Sequence, residues 1–510
     1  MKNKMSSKVY IEVRNGSSPV GIRDIPVVEY GRFYDEVTSL LGNEHCHCLA
    51  YFCYQSGPVL KFICCMADDE SGTIRILSHE KQDDGAPLRS LTESCYAMHI
   101  FEREIHERHG VKFDGHPWLK PVRYSHDRAD NQSVISNYPF YEMEGEELHE
   151  VGVGPIHAGV IEPGHFRFIC NGEKVMHLEI QLGYQHRGVE KLFTESSDGL
   201  RRTALADNIA GDTAVGHGLA HAQLVESLSG FTAPGSLQAE RCIALELERI
   251  AVHIGDTAAL CGDVAYQLGQ VACEALRTVV INTTQYWCGN RFGKGLIRPG
   301  GTNFALDEEI AGEILRNLEE VDRRFRNVTD CVYTLPSVLG RFEEIGTVTR
   351  GQALAIGAVG MAARTCGVPR DIRSTHPFQY YRHMAIVPVM QESGDVLARG
   401  MLRALEVKES VQIIRRMLDE WRAGVRASAH PRYDLRFRSD SLAISVTEGW
   451  RGEICHVAVT DGDGQPVLYR IKDPSMHNWM ALALAVRNQE ISDFPVCNKS
   501  FNLSYCGNDL

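Results

Sequence analysis

The sequence lacks the short motifs that mark self-contained cofactor sites. None of its 16 cysteines lies three residues from another, so there is no CxxC pair, and neither GxGxxG nor GxxxxGK[ST] occurs. Zinc sites commonly use cysteines at that spacing, and the two glycine motifs bind dinucleotides and nucleotide phosphates. We therefore predict no site of these kinds in the chain, and any link to NAD(H) would run through another protein.

Long apolar runs and an excess of basic charge are also missing. No stretch approaches 18 uninterrupted apolar residues, and residues 1–13 lack the apolar core of a signal peptide. The 53 basic and 66 acidic side chains give a net charge of −13, which provides no electrostatic support for nucleic-acid binding. We expect a cytoplasmic protein that meets the membrane only through partner subunits.

The cysteines that are present cluster in two short apolar stretches. Residues 45–48 read His-Cys-His-Cys, and Cys64 and Cys65 are adjacent in the next apolar run. A free cysteine packs as a small hydrophobic residue, and a cytosolic context argues against disulfides. We therefore favour buried cysteines on strands, with a metal site as the alternative.

The patterns divide the chain into two units, since 510 residues are too many for one core. Residues 1–128 are predicted to form a small α+β domain, and a polar linker follows at 129–145. Residues 146–510 are predicted to form a large, mainly α domain with peripheral β-hairpins. The fold class is therefore α+β.

Apolar spacing predicts particular elements in both units. In the first unit, Ser90 and Glu93 form the pattern of a helix-capping box, and Gly110 is a natural helix end. The predicted helices cover residues 31–42, 90–110, 237–262, 309–328 and 401–421. The predicted strands cover residues 49–55, 59–66, 453–461 and 466–471, the last two forming a hairpin.

Several polar residues interrupt apolar context and are candidates for chemistry. They are His157, His165, residues 186–190, His217, Asp263 and Arg451. Histidine titrates near neutral pH, so a group of histidines raises the odds of proton chemistry. The eight-residue spacing of His157 and His165 across a Pro-Gly turn does not suit zinc. The residues alone leave open a redox site, a proton site and simple packing.

Longer motifs resemble a known family. EREIHERHGVKFDGHPWLKPVRY, residues 102–124, resembles the signature of the C subunit of NADH-quinone oxidoreductase (respiratory complex I), although His106 and His109 depart from its usual residues. The D subunit is resembled, in order, by VGVGPIHAGVIEPGHFRF, LEIQLGYQHRGVEKLF, RCIALELERIAVHIGD, LIRPGGTNFAL, DIRSTHPFQYY and IKDPSMHNWMALALAV. A C-like domain ahead of a D-like domain is similar to the large subunit of membrane-bound nickel-iron hydrogenases of the formate hydrogenlyase and hydrogenase-4 type.

The hydrogenase resemblance implies four thiolate ligands for nickel and iron, and this sequence has none of them. The early ligand motif aligns with IAGDTAVGH, which puts Ala210 and Thr213 at the cysteine positions. The late motif aligns with FNLSYCGND, which puts Ser504 and Gly507 there, with Cys506 between them. Nickel and iron need soft thiolates, so we expect no nickel-iron centre and no metal bound by this chain.

The complex I resemblance implies a quinone head-group cavity built by a tyrosine, a hairpin histidine and an aspartate behind that histidine. Gly211 stands at the tyrosine position, and Asp263 matches the aspartate. The histidine is His165 or, in another register, His157. Tyrosine and histidine would give protons to a reduced quinone, so the missing tyrosine weakens quinone reduction without excluding it.

Four further residues match positions that matter in the family. Glu190 matches the proton gate of the hydrogenases, and the alternative is a structural ion pair with Arg187. His217 is retained from the early ligand motif. Arg451 matches an arginine of the hydrogenases, and the alternative is that it neutralises Glu453 or a neighbouring carboxylate.

The resemblance as a whole implies a nickel-free subunit of a membrane-associated complex. The subunit would pair with a small iron-sulfur subunit of the complex I B type, which carries a 4Fe-4S cluster, and with antiporter-like membrane subunits. It would couple electron flow to ion or proton movement. Two alternatives are quinone reduction in this chain and a non-catalytic scaffold.

Overall fold

The computed structural model describes residues 9–82, 84–159, 161–425 and 429–510. Residues 1–8, which belong to the stretch tested for a signal peptide, lie outside the described residues. Val160, between His157 and His165, also lies outside them. No helix within the described ranges is long and apolar enough to span a membrane.

The N-terminal unit is built on an antiparallel sheet in the order β1-β5-β4-β3, with helices packed on it. Its elements are β1 (Ile11–Val13), β2 (Val20–Gly21), α1 (Tyr30–Leu41), β3 (Cys46–Ser56), β4 (Val59–Asp68), β5 (Thr73–Gln82), β6 (Leu88–Arg89), α2 (His99–His109) and β7 (Phe113–Asp114). The predicted cysteine burial is confirmed: Cys46, Cys48, Cys64 and Cys65 are buried on β3 and β4.

The second unit is mainly helical, with two antiparallel sheets. It opens with the sheet β10-β9-β8, made of β8 (Leu148–Val153), β9 (His165–Asn171) and β10 (Lys174–Gln181). The second sheet contains β11 (Ser441–Glu448), β12 (Glu453–Thr460) and β13 (Pro466–Lys472). The helices are α3 (Val189–Glu195), α4 (Gly199–Ala206), α5 (Ala214–Ser229), α6 (Gly235–Asp263), α7 (Gln267–Cys288), α8 (Glu308–Val332), α9 (Pro336–Phe342), α10 (Arg350–Ala355), α11 (Gly360–Arg364), α12 (Ile372–Thr375), α13 (Val396–Ala423), α14 (Ser475–Ala485), α15 (Phe494–Phe501) and α16 (Tyr505–Asp509).

The predicted helix over residues 90–110 starts too early, since α2 begins only at His99. The Glu102 carboxylate accepts hydrogen bonds from the Leu91 and Thr92 backbone N–H groups and from the Ser90 hydroxyl. Those N–H groups are thereby fixed outside an α-helix, so two 3₁₀ turns precede α2. Glu93 pairs with Arg89 instead of closing a capping box. The predicted end is confirmed, because Gly110 adopts φ 69°.

The two units share structure across the predicted boundary. Strand β2 pairs with β11 at the edge of the second unit's sheet, with Val20 opposite Leu442. Buried Asn15 donates hydrogen bonds to the carbonyls of His376 (2.8 Å) and Val446 (2.7 Å). The segment from Asn15 to β2 therefore joins the small unit to the large one.

Candidate functional site

Two chain segments meet where the resemblance places the ligand motifs. Arg451, in the turn between β11 and β12, donates hydrogen bonds to both carboxylate oxygens of Asp212 (2.6 and 2.7 Å) and to the Thr213 hydroxyl (3.1 Å). Its Nε donates to the Asn502 carbonyl. Arg451 therefore clamps the loop before α5 to the segment before α16, and its carboxylate partner is Asp212.

Of the two partners considered for Arg451, Glu453 or a neighbouring carboxylate, the structure has the neighbouring carboxylate, Asp212. Glu453 is buried and accepts from Lys472 and from His47 Nε2, the latter at 2.6 Å. Burial alone would raise the pKa of Glu453, but Lys472 and His47 together hold it well below its ordinary value. The carboxylate is therefore fully used in joining β12 to β3.

The four positions aligned with metal ligands offer no set of free donor atoms. Ala210, Thr213, Ser504 and Gly507 are all buried, and the Ser504 hydroxyl caps α16 by accepting from the Gly507 N–H at 2.9 Å. The Thr213 hydroxyl is engaged by Arg451. Within the described ranges, no group of three or more His, Cys, Asp or Glu side chains is arranged to hold a metal ion.

Cys506 brings a sulfur to this place, and it is held as a thiol. Its Sγ lies 3.5 Å from the Ser504 hydroxyl. Burial, followed by the nearby Glu162 carboxylate, raises the pKa of Cys506 to about 11. Metal binding requires the thiolate, so this environment does not favour ligation. The donor set as a whole does not fit a nickel-iron centre.

A carboxylate occupies the space beneath Gly507. Asp473 Oδ2 lies 2.6 Å from the position that a Cβ at residue 507 would take, and 3.0 Å from His217 Nε2. The Ser475 backbone N–H donates to Asp473 Oδ1 at 2.8 Å. Burial alone would raise the pKa of Asp473, but His217 and Arg451 lower it. The site therefore contains an ionised Asp473 where a longer residue at 507 would collide.

Asp473 is the end of a buried chain of hydrogen bonds. His217 Nδ1 lies 3.1 Å from His456 Nε2, and His456 Nδ1 lies 2.9 Å from the Tyr469 hydroxyl. The same hydroxyl lies 2.9 Å from His221 Nδ1. All five side chains are at most 5% exposed. His221 lines a cavity of about 440 Å³ at the far end of these hydrogen bonds.

Donor and acceptor accounting allows two proton orders in this chain, and the protonation state of His217 selects between them. Burial lowers the pKa of His221 to about 3, lowers that of His456 and raises that of Tyr469, so these three side chains are neutral. A neutral His217 donates from Nε2 to the ionised Asp473 and accepts at Nδ1 from His456, and every shared proton then points toward Asp473. A protonated His217 donates from both nitrogens, and the bonds from His456 through Tyr469 to His221 then run the other way. One proton gained or lost at His217 therefore reverses the order of the other bonds.

Most of this chain was missed in the sequence. His217 was a candidate, but Asp473, His456, Tyr469 and His221 were not. The available signal was the pair His217 and His221, which are four residues apart and share one face of α5. The other residues gave no comparable signal, because they come together only when α5 packs on β11 and β12.

Glu190 and Arg187 do not form the ion pair considered as an alternative. Arg187 donates to the backbone carbonyls of Asn208, Ile209 and Cys506 at 2.6–2.9 Å. Glu190 instead pairs with Arg470 (2.5 Å) and Arg108 (3.1 Å), and it accepts from the Ile471 N–H. Burial would raise the pKa of Glu190, but Arg470 and Arg108 lower it to about 2.

The residues proposed for a quinone head group are not joined by hydrogen bonds in the described part of the chain. His165 Nδ1 lies 3.1 Å from the Gly154 carbonyl, and Asp263 pairs with Lys499 rather than standing behind His165. His157 Nε2 contacts the Gly164 carbonyl at 2.9 Å. Gly211 is exposed, and a Cβ there would meet nothing within 4 Å.

The hairpin of β8 and β9, whose connection carries His157, nevertheless borders the site. It does so through a residue that was not a candidate in the sequence. Glu162 accepts from Gln185 Nε2 at 3.0 Å and lies against Cys506. A Cβ on Gly164 would lie 2.7 Å from the Tyr505 ring, so the hairpin packs closely on α16. The hairpin's contribution at this place is therefore a carboxylate, whereas its histidines contact backbone.

Comparison with known proteins identifies both units. Residues 32–132 match the family described as respiratory-chain NADH dehydrogenase, 30 kDa subunit, and residues 263–443 match its 49 kDa subunit. The chain fuses these two subunit families. The first match spans the elements from α1 to β7, and the second spans the long helices α7, α8 and α13.

Individual relatives of the fused chain include both hydrogenases and complex I subunits. It is 28% identical to the carbon monoxide-induced hydrogenase of Rhodospirillum rubrum, over 69% of this chain and 97% of that protein. It is 27% identical to formate hydrogenlyase subunit 5 of Escherichia coli, over 80% and 74%. It is 26% identical to NADH-quinone oxidoreductase subunit 4 of Thermus thermophilus, over 68% and 90%. The chain is therefore similar both to hydrogenase subunits and to subunits of NADH-quinone oxidoreductase.

Proposed function

We propose that the chain is a nickel-free large subunit of a membrane-associated oxidoreductase complex related to complex I and membrane-bound hydrogenases. The observation that carries the proposal is the replacement of a ligand set by an ion-paired site. Asp473 with His217, and Arg451 with Asp212, fill the place where Ala210 and Gly507 provide no donor atom.

In this proposal the electrons pass through a partner and the chain handles protons. A small iron-sulfur subunit would dock at the exposed Gly211 surface, and antiporter-like membrane subunits would complete the complex. The hydrogen-bond chain from His221 to Asp473 supports the proton role, because one proton gained or lost at His217 reverses the order of its other bonds. Coupling of electron flow to ion or proton movement would then take place across the complex.

Metal analysis of the purified complex tests the proposal. We expect iron from a partner's cluster but only trace nickel, and no hydrogen evolution with reduced methyl viologen as the electron donor. A related hydrogenase carrying the four cysteines, purified in the same way, is the positive control. Stoichiometric nickel together with hydrogen evolution would contradict the proposal. A purified complex that contains no iron-sulfur subunit and shows no redox activity would favour the scaffold alternative.

Quinone is the alternative electron acceptor, and its test uses separate His165→Phe and Asp263→Asn variants. We expect quinone reduction by the complex, with reduced methyl viologen as donor, to stay within about twofold of the parent, because neither side chain is held where it would protonate a shared ligand. A loss of about 10²–10⁴-fold in both variants would instead assign proton delivery to these residues. A Glu162→Gln variant, measured in the same assay, shows whether the carboxylate of this hairpin contributes to quinone reduction.

A further inference from the structure

A cavity of about 400 Å³ lies between the N-terminal unit and the second unit, away from the site described above. Its walls include Trp118 and Tyr96 from the first unit and Trp479 from α14. The His99 ring stacks between two of these walls, 4.7 Å from the Tyr96 ring and 5.6 Å from the Trp118 ring. This volume and these aromatic walls are typical of sites for small planar molecules.

Three buried nitrogen atoms on the cavity wall have no partner in the described part of the chain. They are Nδ1 and Nε2 of His99, which is 3% exposed, and Nε1 of Trp479, which is 5% exposed. Burial, followed by the charge of Arg103, holds the pKa of His99 well below its ordinary value, so its ring is neutral. A neutral imidazole has one donor and one acceptor, and leaving buried groups unpaired is costly. These three atoms have almost no accessible surface, so the two rings meet the cavity as walls and a ligand there does not reach their nitrogens.

The cavity also carries an excess of positive charge. Buried Arg103 donates to the carbonyls of Lys120 and Pro121 (both 2.8 Å) and lies 4.3 Å from the centre of the Trp118 ring. Within the described ranges no carboxylate pairs with Arg103. Lys120 is neutralised by Glu179 at 2.6 Å, whereas exposed Arg487 adds a second cation to the lining.

From these observations we propose that the cavity binds a small planar aromatic anion. Its ring would lie against the Trp118 and Trp479 walls, and its carboxylate or equivalent group would pair with Arg103 and Arg487. This ligand site is independent of the nickel-free function proposed above, since it shares no residue with the Asp473 site.

The first test compares two probes of one shape and different charge. Isothermal titration of the full-length chain, with its copurifying subunits, is carried out with 2-naphthoate and with neutral 2-naphthamide. We expect one naphthoate per chain and binding of the amide weaker by about tenfold or more, because the amide lacks the charge that would pair with Arg103 and Arg487. Equal affinities would overturn the anion assignment, and no binding of either probe would overturn the site.

The second test uses variants that separate binding from folding. Arg487→Gln removes the exposed cation of the lining, so we expect little change of Tm without ligand and at least a tenfold loss of naphthoate affinity. The control His99→Phe keeps a ring in the wall and removes only nitrogens that the cavity does not reach, so it should leave naphthoate affinity close to that of the parent. Unchanged affinity in Arg487→Gln would place the probe elsewhere and overturn the proposal.

Discussion

A Glu406→Gln variant is expected to lose about 3–5 kcal/mol of unfolding free energy, among the largest effects of any single charge removal in this chain. Glu406 lies on α13 with no exposed surface and accepts from His253 (2.7 Å), Arg249 (3.4 Å) and Arg364. Burial alone would raise its pKa, but Arg364, His253 and Arg249 hold it well below the ordinary value. Glutamine has nearly the same shape but leaves the two guanidinium groups without this charge.

Urea unfolding followed by circular dichroism measures this loss at neutral pH. Glu320→Gln is the matched control, because Glu320 pairs with Arg324 at 2.8 Å on the exposed side of α8. Exposed pairs contribute about 0–1 kcal/mol, so the control should stay close to the parent. If the urea midpoint of Glu406→Gln is as close to that of the parent as the midpoint of the control is, the expectation is wrong. The buried cluster would then have rearranged its hydrogen bonds to compensate for the missing charge.

The cluster around Glu406 also shows where prediction from sequence stops. The helix predicted over residues 237–262 is α6, Gly235–Asp263, because apolar residues repeat at helical spacing within one stretch of chain. The ion pairs that α6 makes with α13 depend on packing between residues 157 positions apart, as in Arg249 and Glu406. No local pattern encodes such a pair, so the sequence predicted the helices and missed their charged contacts.

The candidate site divides in the same way. Family resemblance located the two segments at 210–213 and 504–507, and the structure brings both to one place through Arg451. It did not predict Asp473, which reaches the site because β13 ends beside α5. The observed partners of Asp263 and Arg187 were not predicted either. Resemblance to a family indicates which residue occupies a position, but the local hydrogen bonds decide which partner its side chain contacts.

Glu190 offers the second large effect, and it separates a structural role from proton transfer. We expect Glu190→Gln to lose about 3 kcal/mol of unfolding free energy at pH 7, since a pKa lowered to about 2 from 4.5 corresponds to that stabilisation. The carboxylate is held between Arg470 and Arg108, which join β13 and α2 across the two units. Glu195→Gln, at an exposed position on the same helix, should change little.

The pH dependence of the unfolding free energy provides a sharper test of the role of Glu190. A carboxylate with a lowered pKa stabilises the fold fully above its unfolded pKa, here 4.5, and that contribution is lost as pH falls toward 2. The stability difference between parent and Glu190→Gln should therefore be largest at pH 6–7 and shrink between about pH 4 and pH 2. A proton carrier works best with a pKa near the operating pH, which the two arginines prevent at Glu190. Full stability in the variant, combined with loss of proton-coupled turnover in the complex, would contradict this account and return Glu190 to the role of a proton gate.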